Sequence, residues 1–251
     1  MVPGIDSNGT SGNQWRRKTL PMKQTASATL SANFQRDGFV IVPDLLSPAE
    51  CDQLKTEARS VLDQHAKPGS SVYVHVSVVN PTFRALAGDP RIVDILKPVM
   101  PHGVMFLSDK IVYKAPDKTF PTPWHIDCFY WRNTRPKLSV WIPLDDATAE
   151  NGTLTVVPGS HKKDWRMVKM GLPSGDFQYE LAEHGWGEGD VVTCAIKRGT
   201  AIIFSDRLVH GSTRNTAGKD RYALINTYHA PAADEAFDLD FPARKILVPA
   251  A

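Results

Sequence analysis

The sequence predicts a mainly β, α+β protein: a jelly-roll barrel or sandwich backed by helices from its N-terminal part. Three observations carry that expectation. Helix signals lie before residue 100, short apolar runs separated by Gly, Pro, Asn and Asp follow it, and no segment repeats another. At 251 residues the chain suits one large domain with a sizeable core.

Taken in order, residues 1–30 read as a flexible tail, rich in Gly, Ser, Thr, Asn and Gln, with no acidic residue between Asp6 and Asp37. The Arg16-Arg17-Lys18 cluster within it reads as solvated. Residues 31–251 form the single domain. Its first element is a short helix over 31–37, ended by Gly38 as a C-cap. A strand over 39–42 follows, closed by Pro43. Ser47-Pro48-Ala49-Glu50 is a capping box with proline at the first helical position. Leu54, Ala58, Val61 and Leu62 then recur at helical spacing, for about four turns. Asp89-Pro90 opens another helix, carrying Ile92, Val93, Ile95 and Leu96 and ending before Pro98. Thereafter the pattern is β, with runs over 104–113, 138–142, 153–157, 191–195, 200–204 and 222–228. Turn signals such as Asn151-Gly152 and Pro158-Gly159 lie between them.

Composition narrows the function. Lys plus Arg number 29 against 27 Asp plus Glu, so a net charge of +2 leaves no electrostatic footprint for nucleic acid. No apolar run approaches the roughly 20 residues of a membrane helix, and the tail lacks the apolar core of a secretory signal. Cys51, Cys128 and Cys194 are too widely spaced for a disulfide framework or a Cys-rich zinc site. The expectation is a cytoplasmic protein, monomeric or homodimeric, that binds neither nucleic acid nor membrane.

The sharpest local feature is Trp124-His125-Ile126-Asp127. On a strand, residues i and i+2 share a face, so His125 and Asp127 would present an imidazole and a carboxylate to one point. That is two thirds of a 2-His-1-carboxylate set, the arrangement that holds ferrous iron with open positions. The same pair is common by chance, as two hydrogen-bonded strand residues. A third ligand must come from elsewhere among eight histidines. His210 stands out, since it follows the apolar run 200–204 and opens a His210-Gly211-Ser212 turn leading to Arg221. His65 reads as a helix-end residue and His161 as a loop-fixing one. His75 could face a pocket, and His102, His184 and His229 have no distinguishing context.

Gly38-Phe39-Val40 with Pro43, His125-Ile126-Asp127, Asn151-Gly152, Val157-Pro158-Gly159-Ser160-His161, His210-Gly211-Ser212 and Arg221 occur in one order along the chain. In that order they resemble the phytanoyl-CoA dioxygenase family of ferrous iron and 2-oxoglutarate-dependent oxygenases. The resemblance implies a double-stranded β-helix with His125, Asp127 and His210 as metal ligands and catalytic residues. It also implies iron(II) as cofactor, with 2-oxoglutarate and dioxygen as cosubstrates. Arg221 would anchor the distal carboxylate of 2-oxoglutarate with its bidentate fork, and Ser212 would offer a hydroxyl to it. Trp141 and Lys110 fall at positions lining the cosubstrate pocket. In related halogenases the carboxylate ligand is missing, so Asp127 points to oxygenation, or to desaturation, cyclisation or epimerisation.

Each of these residues has a plainer reading. Arg221 could serve a surface ion pair, Trp141 could be plain core, and Cys128 a small buried hydrophobe. Asp145, Asp146 and Glu150 read as a solvated loop. The rival classes are a zinc hydrolase, served by the same ligand types, and a jelly-roll binding module without chemistry. For substrate, Phe129, Tyr130 and Trp131 directly follow the metal motif, and Val72 and His75 precede the barrel. The stretch 165–189, with Trp165, Phe177, Tyr179 and Trp186, would cover the site as a lid. These residues suit a mid-sized, largely apolar small molecule, hydroxylated in natural-product biosynthesis. A lipid or acyl-CoA, met by Lys162, Lys163 and Arg166, is the alternative.

Overall fold

The structure, a computed structural model, describes residues 27–67, 70–117, 119–131, 135–169, 179–231 and 242–249, with Trp131 described by its backbone only. The N-terminal elements are helix α1 (Ser27–Asp37), strand β1 (Phe39–Val42) and helix α2 (Pro48–His65). Strand β2 (Val72–Val74) and helices α3 (Val76–Val79), α4 (Pro81–Ala87) and α5 (Pro90–Leu96) follow. Helix α1 begins at Ser27 rather than Ser31, and residues 1–26 lie outside the described residues. The C-terminal elements are β3 (Val104–Lys114), β4 (Thr122–His125), β5 (Lys137–Pro143), β6 (Leu154–Val156), β7 (Met167–Lys169) and β8 (Tyr179–Leu181). They continue with β9 (Val192–Thr193), β10 (Ala201–Ser205), β11 (His210–Ser212), β12 (Arg221–His229) and β13 (Lys245–Val248).

The larger sheet runs β1-β10-β5-β12-β3-β13, with β2 also on the edge of β3, and the smaller runs β4-β11-β6-β9. All the pairings are antiparallel, as a jelly roll requires. Alternation along the strands gives the large sheet two apolar faces. Val140, Ile142, Ile203 and Leu224 point outward, onto Leu54, Ala58 and Val61 of α2 and onto Phe83, Ile92 and Leu96. Trp141, Ile202, Phe204 and Ala223 point inward, against Leu154 and Val156 of the small sheet. Each large aliphatic side chain buried in these layers contributes about 1.5–3 kcal/mol. Among the described residues no helix is long and apolar enough to cross a membrane.

The helix boundaries are set where the sequence marks them. Ser47 Oγ accepts from Glu50 N, and the Ser47 N–H donates to Glu50 Oε2 at 2.8 Å. Arg91 then binds both Glu50 (2.7 Å) and Asp89 (2.8 Å), tying the start of α2 to that of α5. That guanidinium holds the Glu50 carboxyl down at about 2. The sequence pattern missed α3 and α4. Residues 76–79 are β-branched or small, yet they turn helically because buried Asp109 accepts from Ser77 N (3.0 Å) and Ser77 Oγ (3.0 Å). Asn80 caps α4 by accepting from Thr82 N.

One loop ties this scaffold to the strand that carries His210. Gly159 N donates to Asp37 O at 2.8 Å, His161 Nε2 donates to Gln35 O at 3.2 Å, and Ser160 Oγ accepts from Val209 N at 2.9 Å. His161 is thus the loop-fixing residue its context suggests. Its ring lies over Gly38, where the backbone has φ +80 and an added Cβ would come within 2.4 Å of Nδ1. Gly38→Ala is expected to lose about 1–3 kcal/mol of stability in urea melts, because left-handed strain and the clash act together. An unchanged melt would mean that His161 does not pack there.

Candidate active site

His125 ends β4 and His210 begins β11, and the two are directly paired across the small sheet. Their rings lie 4.1 Å apart between centroids. Each Nδ1–H donates to the carbonyl two residues earlier, Pro123 O at 2.8 Å and Leu208 O at 2.9 Å. Both Nε2 atoms thereby face Asp127 Oδ1, at 3.5 and 3.8 Å. Asp127 does not continue the strand, contrary to the alternation expected from the sequence. It opens a 3-10 turn, Asp127–Trp131, held by Cys128 N donating to Asp206 O at 2.8 Å. The carboxylate still arrives at the imidazoles, so that one ligand atom from each of the three buried residues lies within 4.8 Å of the others.

Electrostatics suit a cation at this point. Burial, and then the neighbouring His125, push His210 down to about 4, so its imidazole is neutral and able to donate a lone pair at neutral pH. Burial alone would raise Asp127, but His210, His125 and Lys110 outweigh it and hold the carboxyl well below its usual range. Two imidazole nitrogens and one carboxylate oxygen form the donor set that fits ferrous iron.

A second polar end lies further along the interior. Arg221 begins β12, is 1% exposed, and donates through Nη2 to Gly152 O at 2.9 Å. Its Nη1 is buried and meets no hydrogen-bond partner among the described residues. Burial pushes this guanidinium down to about 10, partly offset by Asp145. The Trp141 ring lies 5.7 Å from its guanidinium carbon. Trp141 and Lys110 both pair with Ile225, in one row across the inner face. The Ser212 hydroxyl is already engaged: it accepts from Lys114 Nζ at 2.7 Å and donates to Thr122 Oγ1 at 2.8 Å. Lys114 is the residue that the sequence reading missed. It lies one position beyond the expected strand, fully buried and opposite Arg221 in register.

The expected substrate residues divide. Val72 pairs with Val112, and Val74 with Lys110, so β2 extends the inner face of the large sheet. His75 follows in a left-handed conformation (φ 63), its Nδ1 within 3.3 Å of Ser108 Oγ. Tyr130 places its ring 6.4 Å from that of His125 and is 44% exposed. Phe129 packs with Tyr179 at 4.9 Å, and the Tyr130 ring lies 5.8 Å from Phe129 and 6.1 Å from Tyr179. Phe129 lines a cleft of about 340 Å³ with Ile126, Cys128, Trp165, Arg166 and Met167, and none of the three clustered residues lines it. Trp186 packs edge-on to Trp124 and Trp165, while Phe177 and the Trp131 side chain lie outside the described residues. Asp145 and Asp146 are anchored and not simply solvated: Asp145 binds Lys55 and accepts from Tyr222 N, and Asp146 binds Lys197.

Residues 34–223 match the family model described as Phytanoyl-CoA dioxygenase (PhyH). Ectoine dioxygenase of Sphingopyxis alaskensis is 27% identical over 237 residues, covering 81% of this chain and 76% of its own length. Among solved structures, EvdO2 from Micromonospora carbonacea var. aurantiaca complexed with 2-oxoglutarate superposes with a TM-score of 0.69 at 22% identity, over 89% of this chain and 98% of that one. The epimerase SnoN in complex with Fe3+, alpha ketoglutarate and nogalamycin RO gives a TM-score of 0.68 at 23% identity, over 85% of this chain and 92% of that one. These two likenesses establish the jelly-roll fold.

His125→Ala, Asp127→Ala and His210→Ala are each expected to keep the fold and lose bound iron(II), read as metal content after anaerobic loading and desalting. Wild-type iron retention in all three would reject the assignment.

Proposed function

The chain belongs to the phytanoyl-CoA dioxygenase family and is an iron- and 2-oxoglutarate-dependent dioxygenase, and on that premise we propose that it oxidises, by hydroxylation, an unactivated C–H bond of a mid-sized, largely apolar small molecule. The observation that carries this reading is the pairing of two buried polar ends within one apolar interior. A three-ligand cluster stands at one end, and a guanidinium with an unpartnered N–H at the other.

Bound iron(II), with 2-oxoglutarate and dioxygen, supplies the oxidising power, and 2-oxoglutarate leaves as succinate and carbon dioxide. The chain's part is to place the components. His125, Asp127 and His210 would hold the metal, the two imidazole rings being fixed by the Nδ1 bonds to Pro123 O and Leu208 O. Arg221 takes the distal carboxylate through Nη1, while Nη2 stays on Gly152 O and keeps the fork aimed. Trp141 forms the apolar wall between the ends, excluding water beside the guanidinium. Tyr130, Val74, Val78 and Val79 are exposed large hydrophobics, and with Val72 and His75 they supply the substrate side.

Natural-product scaffolds fit this apolar rim, and nogalamycin RO accompanies the SnoN structure. The acyl-CoA alternative has less support. Arg166 is engaged with Glu183 and lines the cleft beside Phe129, and Lys163 lies over Trp165.

Anaerobic addition of iron(II) and 2-oxoglutarate is expected to give the weak visible charge-transfer band of the chelate, which a zinc hydrolase would not show. Arg221→Ala should raise the 2-oxoglutarate requirement about ten- to a hundred-fold, the weight of one charge-assisted contact, and Arg221→Lys should recover part of it. Unchanged binding in Arg221→Ala would place the anchor elsewhere. A panel of free small molecules and acyl-CoA esters, scored by substrate-dependent succinate and product mass, tests the substrate class. Turnover of CoA esters alone would reject the proposed one.

A further inference from the structure

The three residues of the cluster are not held alike. His125 and His210 stand in paired strands, and each ring is fixed by its Nδ1 bond to the carbonyl two residues earlier. Asp127 has left the strand, and the backbone of its turn is fastened by Cys128 N donating to Asp206 O at 2.8 Å. Its carboxylate is oriented from a different element. Ser139 lies on β5, is 1% exposed, and donates through its hydroxyl to Asp127 Oδ2 at 3.5 Å. Among the described residues that hydroxyl has no other hydrogen-bond partner, and no other donor reaches Oδ2.

The register brings Ser139 to this place. It pairs with Thr227 on β12 and with Phe204 on β10, and alternation puts it on the inner face with Trp141. The Phe204 ring lies 4.7 Å from that of His210, so this row runs beside the cluster. Strand β5 also supports the turn, since Lys137 N donates to Asp206 Oδ2 at 3.0 Å and Asp206 N donates to Lys137 O at 3.0 Å. One strand therefore sets both the turn and the hydroxyl, by backbone pairing and a short side chain. The two carboxylate oxygens then have different surroundings. Oδ1 faces both Nε2 atoms, at 3.5 and 3.8 Å, and Oδ2 faces Ser139.

Resting on the iron and 2-oxoglutarate reading above, we propose that Ser139 is a positioning residue that keeps Oδ2 off the metal, so that Asp127 binds through Oδ1 alone. A carboxylate can bind a metal ion through one oxygen or through both. An octahedral iron(II) ion with three protein ligand atoms and a chelating 2-oxoglutarate keeps one position open for dioxygen. A second oxygen from Asp127 would take that position. At 3.5 Å the Ser139 contact is long, and its task is modest. It gives a buried, charged oxygen a polar neighbour other than the metal. Without that neighbour Oδ2 has no donor, and an unmet buried charge is costly enough to turn it onto the metal.

The test uses nitric oxide, which binds iron(II) at an open position, as a probe. Wild type, Ser139→Ala and Ser139→Thr are loaded anaerobically with iron(II) and 2-oxoglutarate, and nitrosyl formation is titrated by electron paramagnetic resonance. Metal content and the visible charge-transfer band are read on the same samples. Ser139→Ala removes a single oxygen atom and is expected to fold, to keep its iron and to keep the band. It should nevertheless need about ten-fold more nitric oxide for half-saturation. Ser139→Thr, which restores a hydroxyl, is expected to recover most of that affinity. A merely structural role would lower the melting temperature without separating nitric oxide binding from iron binding. Unchanged nitric oxide affinity in Ser139→Ala, or loss of its iron, would overturn the proposal. So would a Ser139→Thr that binds nitric oxide no better than Ser139→Ala. A wild type that holds no iron, or shows no band, would instead overturn the reading on which the proposal rests.

Discussion

A charge withdrawn from water has to be compensated within the protein or by what the protein binds, and the interior of this barrel is arranged around that constraint. Arg221 and Lys114 sit fully buried at one end, with backbone carbonyls and the Ser212 hydroxyl as their described hydrogen-bond partners. Asp127 sits buried at the other end, with neutral His210 beside it. Between them run apolar side chains of the two sheets, Trp141, Ala223 and Ile202 against Leu154 and Val156. An interior of this kind is held apart by packing and completed by ligands of opposite charge at each end. A cation fits the carboxylate end, and an anion fits the guanidinium end.

Much of this was legible in the sequence, because short-range chemistry wrote it. The capping box at Ser47, the glycine after α1 and the alternation in β5, β10 and β12 each depend on neighbours a few residues away. His125 and Asp127 were legible as a pair for the same reason, although the route proved different. The chain leaves the strand after His125 and turns Asp127 inward on a 3-10 turn, so convergence rests on the Cys128–Asp206 bond and not on strand alternation.

Other features depend on contacts distant in sequence. Lys114 carries no local mark of function. Only the register sets it opposite Arg221, beside the gap at Gly152. Residues 76–79 have strand-like composition, and buried Asp109, far along the chain, makes them helical. Phe129 and Tyr130 are adjacent in sequence and were expected to share a substrate wall; the 3-10 turn packs both rings near Tyr179, with Tyr130 also reaching His125 and Phe129 lining the cleft of Ile126 and Trp165. No periodicity in a five-residue segment could have distinguished these two surroundings.

The two ends of the interior are also joined mechanically, through one of the shortest strands in the fold. Strand β11 has three residues, with His210 at its first position and Ser212 at its last. Gly211 between them leaves no room for a side chain, since a Cβ there would lie 2.9 Å from Thr122 O. Ser212 is gripped from two directions, by Lys114 and by Thr122 of β4, the strand that ends in His125. The Ser212 hydroxyl thus ties Lys114 to a position two residues from His210 and, through Thr122, to the strand that carries His125. The Nδ1 bonds of both histidines to their own strands resist rotation of the rings. The clustered histidines and the cationic end are thus held by the same two short strands, β4 and β11.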